Sequence, residues 1–235
     1  MLQAGRYEQI GVAMTCRGYA EYERMFGLNE GLLRRGRVLD VAAGASSFAA
    51  EARRRGIDVV CADPRYAQTP DRMSEEGYAE IETSTEKLAR LAHRFDWSYY
   101  GHIDNHKAGR IRSMELFLQD YSQPDAGERY IAEALPSLSF ADDTFSLVLC
   151  SHFLFLYRDQ FGDDFHRAAL KELMRVCRPG GEVRVYPLLS LGWEPYPGMA
   201  ELIGELESLG GTCSFEKSEL PFIPGSSELL RICKK

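Results

Sequence analysis

The sequence lacks the features of a membrane or secreted protein. No stretch approaches the roughly 20 consecutive apolar residues that a membrane span requires. The first residues, MLQAGRYEQIG, also lack the basic-then-apolar order of a secretory signal peptide. We therefore expect a cytoplasmic protein that makes no use of a membrane.

Paired cysteines are absent as well. None of the six cysteines belongs to a CxxC pair, and no histidine stands at metal-ligand spacing from one. Several lie inside apolar runs such as VVCAD and LVLCS, where a thiol behaves as a small core side chain. The pattern argues against a zinc site or a disulfide framework, and we expect no metal.

The chain has no excess of positive charge. Its 28 Lys and Arg face 35 Asp and Glu, which gives a formal net charge of −7. Non-specific nucleic-acid binding depends on basic surfaces that neutralise phosphates. The balance therefore argues against a nucleic-acid partner, while the oligomeric state stays open.

A strand–helix–strand unit is present in the first third of the chain. RVLDVA (37–42) predicts a buried strand, residues 46–55 predict a helix that ends at Gly56, and DVVCADP predicts a second strand. Parallel strands joined in this way are the unit of doubly wound α/β folds. A helix over 18–35 is expected before them.

The α/β rhythm stops between residues 65 and 127. Helical patterns cover 71–95 and 104–121, and the aromatic stretch FDWSYY (95–100) separates them. Within a single domain of residues 1–235, we expect this helical insertion to form a cap over the carboxyl ends of the strands.

The rhythm then resumes to the end of the chain. We expect strands over 129–134, 144–150 and 182–186, and helices over 163–177 and 197–209. RPGG (178–181) should act as a stop-and-turn before the third of these strands. The pattern predicts two final strands, over TCSFEKSEL and SSELLRICKK, which can pair antiparallel to each other. The predicted fold is α/β and Rossmann-like: a doubly wound, mostly parallel seven-stranded sheet with an antiparallel C-terminal strand and a helical cap insertion.

The turn VLDVAAGASSF (38–48) is the first candidate for a binding site. Its small residues allow close approach of a ligand beside a helix N-terminus, and Asp63 follows Asp40 by 23 residues. An acid at the end of the second strand can accept hydrogen bonds from ribose hydroxyls. The pattern favours an adenosine-containing ligand, although tight packing at a βα corner would also select small residues.

Four stretches occur in a familiar order: VLDVAAGASSF, VVCADP, SLSFADDTFSLVLCSHFLFLY and ELMRVCRPGGEVRVYPL. In these stretches the sequence resembles the class I S-adenosylmethionine-dependent methyltransferases, especially their small-molecule, methyltransferase type-11-like branch. The resemblance covers about residues 37–66 and 135–190. It implies S-adenosylmethionine as cofactor, S-adenosylhomocysteine as product, and methyl transfer to a small molecule or another accessible acceptor.

The resemblance also implies which residues contact the cofactor. The amino-acid end would lie against the turn, the ribose against the acid of the second strand, and the methyl group beside the end of the fourth strand. The residues implied are Asp40, Ala42, Gly44 and Ser47 for the amino-acid end, Asp63 for the ribose, Pro64, Ala134 and Leu135 for the adenine, and Cys150, Ser151 and His152 for the methionine portion. Tyr22 would close over the cofactor, or else pack on a helix face.

The chain departs from the family pattern in the turn itself. Ala42 and Ser46 stand where the family usually has glycine, and the methyl group of Ala42 could push against the cofactor's carboxylate tail. A serine also replaces the usual proline at 139 and the usual aspartate at 146. These changes leave the expected fold intact but affect the contacts with the cofactor.

Methyl transfer asks little of side chains, because the sulfonium already activates the methyl group. A general base helps when the acceptor carries a proton. His152 is the candidate, with a histidine hydrogen-bonded to nearby backbone as the alternative. Four residues are candidates to wall the acceptor pocket, or else to pack the cap or the core: Trp97, Tyr100, His106 and Tyr157.

Two other functions compete with the methyltransferase. The altered turn is also compatible with a catalytically silent member of the fold that binds the cofactor or a partner as a sensor or regulatory subunit. A nicotinamide-dependent oxidoreductase would need a GxGxxG turn, which AAGASS (42–47) does not provide.

Overall fold

A computed structural model describes residue 7, residue 9 and residues 11–235 of the chain. Its seven-stranded sheet has the order β3-β2-β1-β4-β5-β7-β6, which confirms the predicted fold. The strands are β1 (Val38–Val41), β2 (Val59–Ala62), β3 (Tyr130–Ile131), β4 (Phe145–Ser151), β5 (Cys177–Tyr186), β6 (Gly211–Lys217) and β7 (Glu228–Lys234). The helices are α1 (Tyr19–Phe26), α2 (Glu30–Leu33), α3 (Phe48–Arg54), α4 (Pro70–Arg90), α5 (Ile103–Tyr121), α6 (Asp163–Val176) and α7 (Met199–Ser208).

The first five strands run parallel, and β7 is antiparallel to its neighbours β5 and β6. In the centre of the sheet, Val38 of β1 pairs with Val59 of β2 and with Leu147 of β4. The carboxyl ends of β1, β2 and β4 therefore meet at one edge. In open α/β sheets this edge is where ligands bind.

Both faces of the sheet are covered, which explains the continuous apolar runs of the central strands. Val38 packs on one face with Phe48 of α3 and Phe117 of α5. Leu39, the next residue of β1, packs on the other face with Leu170 of α6. Alternate residues of one strand thus serve two separate cores.

Two local predictions are wrong. The helix expected over 18–35 is interrupted at Gly27, whose φ of 59° caps α1, and Asn29 starts the separate helix α2. RPGG does not separate a helix from a strand, because β5 begins at Cys177 directly after α6 and contains these residues. The pairing of β4 with β5 shifts its register between Phe145 and Leu147, and this irregularity accommodates the proline and glycines.

The insertion contains the two predicted helices, α4 and α5, although α4 ends at Arg90 rather than near residue 95. A short 3-10 helix, Ala92–Arg94, and the aromatic stretch connect them. Among the described residues, no helix combines the length and apolar character needed to cross a membrane. The first six residues, which carry part of the expectation about a signal peptide, lie outside the described residues.

Candidate cofactor and acceptor site

The turn after β1 has an unusual backbone. Ala42 and Gly44 both have positive φ, 56° and 57°, a conformation that glycine adopts without strain and alanine does not. The Gly44 N–H donates to Asp63 Oδ2 (3.0 Å), and the Tyr66 hydroxyl donates to the Gly44 carbonyl (2.7 Å). The turn is therefore tied to the end of β2 through Gly44.

Residues 12–17, called the N-terminal segment below, lie directly on this turn. The N–H groups of Ala45 and Ser47 donate to the carbonyls of Thr15 (3.0 Å) and Arg17 (3.1 Å). The Ser46 hydroxyl also donates to the Arg17 carbonyl (2.8 Å). A Cβ on Gly44 would lie 2.9 Å from the Thr15 carbonyl oxygen. The close approach that requires glycine at 44 is thus made by the protein's own chain.

A cavity of about 570 Å³, counted with its open mouth, lies beside the turn. We call it the small cavity. Five of the residues expected around the cofactor line it: Ala42, Asp63, Pro64, Ala134 and Leu135. The rest of its lining comprises Val12 of the N-terminal segment, Val41, Arg65, Glu133 and the aromatic side chains Phe153, Phe161 and Phe165. Sequence reasoning did not single out these three rings.

Asp63 is the polar group of the small cavity. Its side chain is 3% exposed, Oδ1 accepts the Arg65 N–H at 2.9 Å, and Oδ2 accepts the Gly44 N–H. Burial raises the pKa of Asp63, while these two N–H groups and the Arg65 charge lower it. A carboxylate offers about four acceptor positions, so two remain for hydroxyl donors.

Asp40, in β1, is fully buried, and neither of its carboxylate oxygens has a hydrogen-bond partner. Burial raises the pKa of Asp40 to about 8, against the lowering influence of the Tyr22 hydroxyl. Tyr22 itself stacks on Phe48, with ring centroids 4.5 Å apart. The remaining residues expected at the cofactor are buried and line neither this cavity nor the next one: Gly44, Ser47, Cys150 and Ser151.

A second cavity, of about 820 Å³ counted with its mouth, lies on the other side of the N-terminal segment. We call it the large cavity. The two cavities share no lining residue. Residues 13–17 line the large cavity, and Val12 lines the small cavity. His106, His152 and Tyr157, all expected near the acceptor, line it. Trp97 and Tyr100 lie behind its wall, where they pack edge-on against Phe222.

His152 follows β4 with a φ of 52°, and its backbone N–H donates to the Tyr186 carbonyl (2.7 Å). Its Nδ1 lies 2.9 Å from the Ser151 hydroxyl. Burial, with the charges of Arg17 and Arg110, lowers the pKa of His152 well below its usual value. The imidazole is therefore neutral near pH 7.

An ionic cluster closes the inner end of the large cavity. Arg110 of α5 binds Glu21 of α1 through two hydrogen bonds, from Nη2 to Oε1 (2.7 Å) and from Nη1 to Oε2 (2.9 Å). Burial alone would raise the pKa of Glu21, but Arg110 and Arg17 lower it to about 2. Sequence reasoning missed this cluster. The available signal was the position of Arg110 on the same helix face as the buried Met114 and Phe117.

Comparison with known proteins bears on the family of this chain. A family model described as "Methyltransferase domain" matches residues 108–185. An uncharacterised protein of Methanocaldococcus jannaschii, MJ0045, is 31% identical over 217 residues, which cover 92% of this chain and 93% of that protein.

Two solved structures are similar to this chain at low identity. The PH0226 protein of Pyrococcus horikoshii is 17% identical with a TM-score of 0.49, covering 92% of this chain and 90% of its own. A TehB-like SAM-dependent methyltransferase of Corynebacterium glutamicum is 17% identical with a TM-score of 0.44, covering 86% and 82%. With the family match and the full-length relative, the chain belongs to the class I methyltransferase family, whose cofactor is S-adenosylmethionine.

Proposed function

We propose that the protein transfers the methyl group of S-adenosylmethionine to a small molecule bound in the large cavity. One observation carries the proposal: two cavities flank the N-terminal segment at the carboxyl ends of the central strands. One is lined by residues expected around adenosine, and the other by side chains of the helical insertion. The cofactor supplies an activated methyl group on a sulfonium.

The small cavity suits the adenosine part of the cofactor. The two free acceptor positions of Asp63 would hold the ribose hydroxyls. Pro64, Ala134 and Leu135 present apolar surface for the adenine, and the phenylalanine rings complete the wall. The residues present therefore fit an adenosine group.

The amino-acid tail meets a different situation. The N–H groups of Ala45 and Ser47 already donate to the N-terminal segment, so they do not serve a ligand while the segment stays in place. The tail contact expected of Ser47, whose N–H is one of these two, thus requires the segment to move. The tail would also meet Ala42, which lines the small cavity.

His152 is the proposed proton acceptor for the methyl acceptor group. It lines the large cavity at the end of β4. A histidine with a depressed pKa is a weak base that stays neutral near pH 7, so it suits a methyl acceptor group whose own proton is acidic. Residues 65–127 form the proposed cap, because His106 and Arg110 of α5 and Glu80 of α4 line the same cavity.

Calorimetric titration with S-adenosylhomocysteine and with 5′-methylthioadenosine, which lacks the amino-acid tail, tests the proposal. Both should bind, and Asp63→Ala should weaken both by about 10- to 100-fold, which corresponds to one or two hydrogen bonds to a charged group. Asp71→Ala, an exposed acid on α4, should leave both affinities unchanged. Binding of neither compound to the wild type at millimolar concentration would refute the proposal.

The N-terminal segment also favours a second function, in which the protein binds the cofactor without transferring its methyl group. Residues of the segment line both cavities. While the segment stays in place, it would keep a cofactor in the small cavity from an acceptor in the large cavity. Titration with S-adenosylmethionine, followed by a radiolabelled methyl-transfer assay with a panel of small acceptors, separates the two functions. Binding with no transfer to any acceptor would support the silent protein, and turnover would eliminate it.

A further inference from the structure

The inner end of the large cavity holds more positive than negative charge. Arg17 (8% exposed) and Arg110 (6%) share one carboxylate, Glu21 (6%). Arg110 takes both oxygens of Glu21, at 2.7 and 2.9 Å. Arg17 donates to Oε1 of Glu21 at 3.3 Å, an oxygen that Arg110 Nη2 already binds, and to the Tyr100 hydroxyl at 3.4 Å. Among the described residues, Arg17 therefore has no counter-charge of its own.

The hydrogen-bond geometry of Arg17 agrees with this charge count. Its Nε is buried and has no hydrogen-bond partner, although Arg17 lines the cavity. A buried cation without a full partner is costly, and an anion that binds it recovers that cost. Among side chains, arginine is also the one whose planar donor set matches a carboxylate.

His106 supplies a second unmatched donor in the same cavity. Its Nε2 lies 3.3 Å from Arg110 Nε and 3.2 Å from Arg110 NH2. Because a guanidinium only donates, Nε2 must accept, and the ring proton stands on Nδ1. His106 Nδ1 is buried without a partner. Arg17 and His106 both line the cavity, and each holds one buried donor that lacks an acceptor among the described residues.

Most of the remaining wall is apolar. Phe95, Trp193 and Phe222 form a stacked and edge-on aromatic group, and Leu88, Leu156 and Ile223 line the same cavity. Glu80 also lines it, and its Oε1 is buried without a hydrogen-bond partner among the described residues. Burial raises the pKa of Glu80, against the lowering influence of Lys87 and Arg65. Within the part of the chain that the structure describes, the ion pair of Arg17 is with Glu21 and not with Glu80.

We infer that the acceptor is a small carboxylic acid with an aromatic or branched apolar body, and that Arg17 binds its carboxylate. This inference deepens the proposed function and rests on it. The carboxylate lies against Arg17 and His106 at the inner end, and the body lies against the aromatic wall. The cofactor's amino-acid tail is the other source of a carboxylate. The acceptor is favoured because Arg17 lines the large cavity and not the small one that contains Asp63.

The test compares 3-phenylpropionate with its uncharged amide, 3-phenylpropanamide, by calorimetric titration of the full chain. The wild type should bind the acid at least about tenfold more tightly than the amide. Arg17→Met should abolish this preference, and Arg17→Lys should restore part of it. Arg90→Met, at an exposed arginine of α4, should behave as the wild type. Thermal unfolding of each variant reports whether it folds, and the wild-type comparison stands without any variant.

Four results would overturn the inference. Two concern the wild type: no binding of the acid at millimolar concentration, or equal binding of the amide. The third is an Arg17→Met variant that keeps the preference for the acid. The fourth is an Arg17→Met variant that binds S-adenosylhomocysteine more weakly but 5′-methylthioadenosine as before, which would assign Arg17 to the cofactor tail. Failure of the proposed function is distinct, because there both adenosine compounds fail to bind whatever the two phenylpropanoid probes do.

Discussion

Asp40 should make the stability of the protein fall as the pH rises through neutrality. Its carboxylate is fully buried with no cation paired to it among the described residues, and burial raises its pKa from 3.8 to about 8. A group with a raised folded pKa stabilises the protein fully below its unfolded pKa, and this contribution is lost as the pH rises toward the folded value. Each pH unit inside that window lowers the free energy of unfolding by about 1.4 kcal/mol. Between about pH 5 and about pH 7, Asp40 alone should therefore lower the free energy of unfolding by about 3 kcal/mol.

Asp40→Asn isolates this effect, because its amide does not titrate. The amide adds two buried donors, whose cost is the same at every pH. Urea unfolding of both proteins at about pH 5 and about pH 7 gives the difference in unfolding free energy at each pH. Other titrating groups cancel in that difference, which should shift by about 3 kcal/mol in favour of the variant. A difference that stays constant, or that shifts toward the wild type, would refute the neutral buried state of Asp40.

Three further predictions concern the turn and the ionic cluster. Gly44→Ala should lower the unfolding free energy by about 2–4 kcal/mol, because φ is 57° and a Cβ would lie 2.9 Å from the Thr15 carbonyl oxygen. The control is Gly109→Ala, whose Cβ would have no atom within 4 Å. It should instead stabilise α5 by about 0.5–1 kcal/mol. Ala42→Gly should raise the unfolding free energy by about 1 kcal/mol by relieving a positive φ of 56°; a loss in denaturant titration would contradict the strain. Glu21→Gln should cost about 3–5 kcal/mol by leaving Arg110 unpaired. The pKa of Glu21 is lowered from 4.5 to about 2, so its contribution to wild-type stability is complete above about pH 4.5 and is lost as the pH falls toward 2. Denaturant unfolding at several acidic pH values should show this loss in the wild type and not in the variant.

The fold was predictable because its signals are local. The strand–helix–strand unit, the two helices of the insertion and the two final strands each follow from the apolar pattern of ten to twenty neighbouring residues. The errors occur where a local signal competes with sheet pairing. Pro179 and the glycines after it usually end a strand, yet pairing of β5 with β4 and β7 carries the strand through them.

The site was predictable only in part, and for the same reason. Asp63 and Ala42 could be found because the β1 turn and the end of β2 are close in sequence. Arg17 and the Glu21–Arg110 pair could not, because Glu21 and Arg110 are 89 residues apart and meet only after α5 packs on α1. A charged residue on a buried helix face shows that a partner is needed, but the sequence alone does not say which residue provides it.

The two residues that replace glycine in the turn are accounted for by the N-terminal segment. Ser46 donates to the Arg17 carbonyl and accepts the Phe48 N–H, so its hydroxyl both holds the segment and satisfies a donor at the start of α3. A glycine at 46 could do neither. Ala42 has a left-handed backbone conformation at the expense of strain, and it lines the small cavity. Only Gly44 could not be replaced, because the Thr15 backbone occupies the space of a Cβ. The turn of this chain is therefore shaped by its own N-terminal segment as much as by a cofactor, and any ligand tail that uses the turn's N–H groups must first displace that segment.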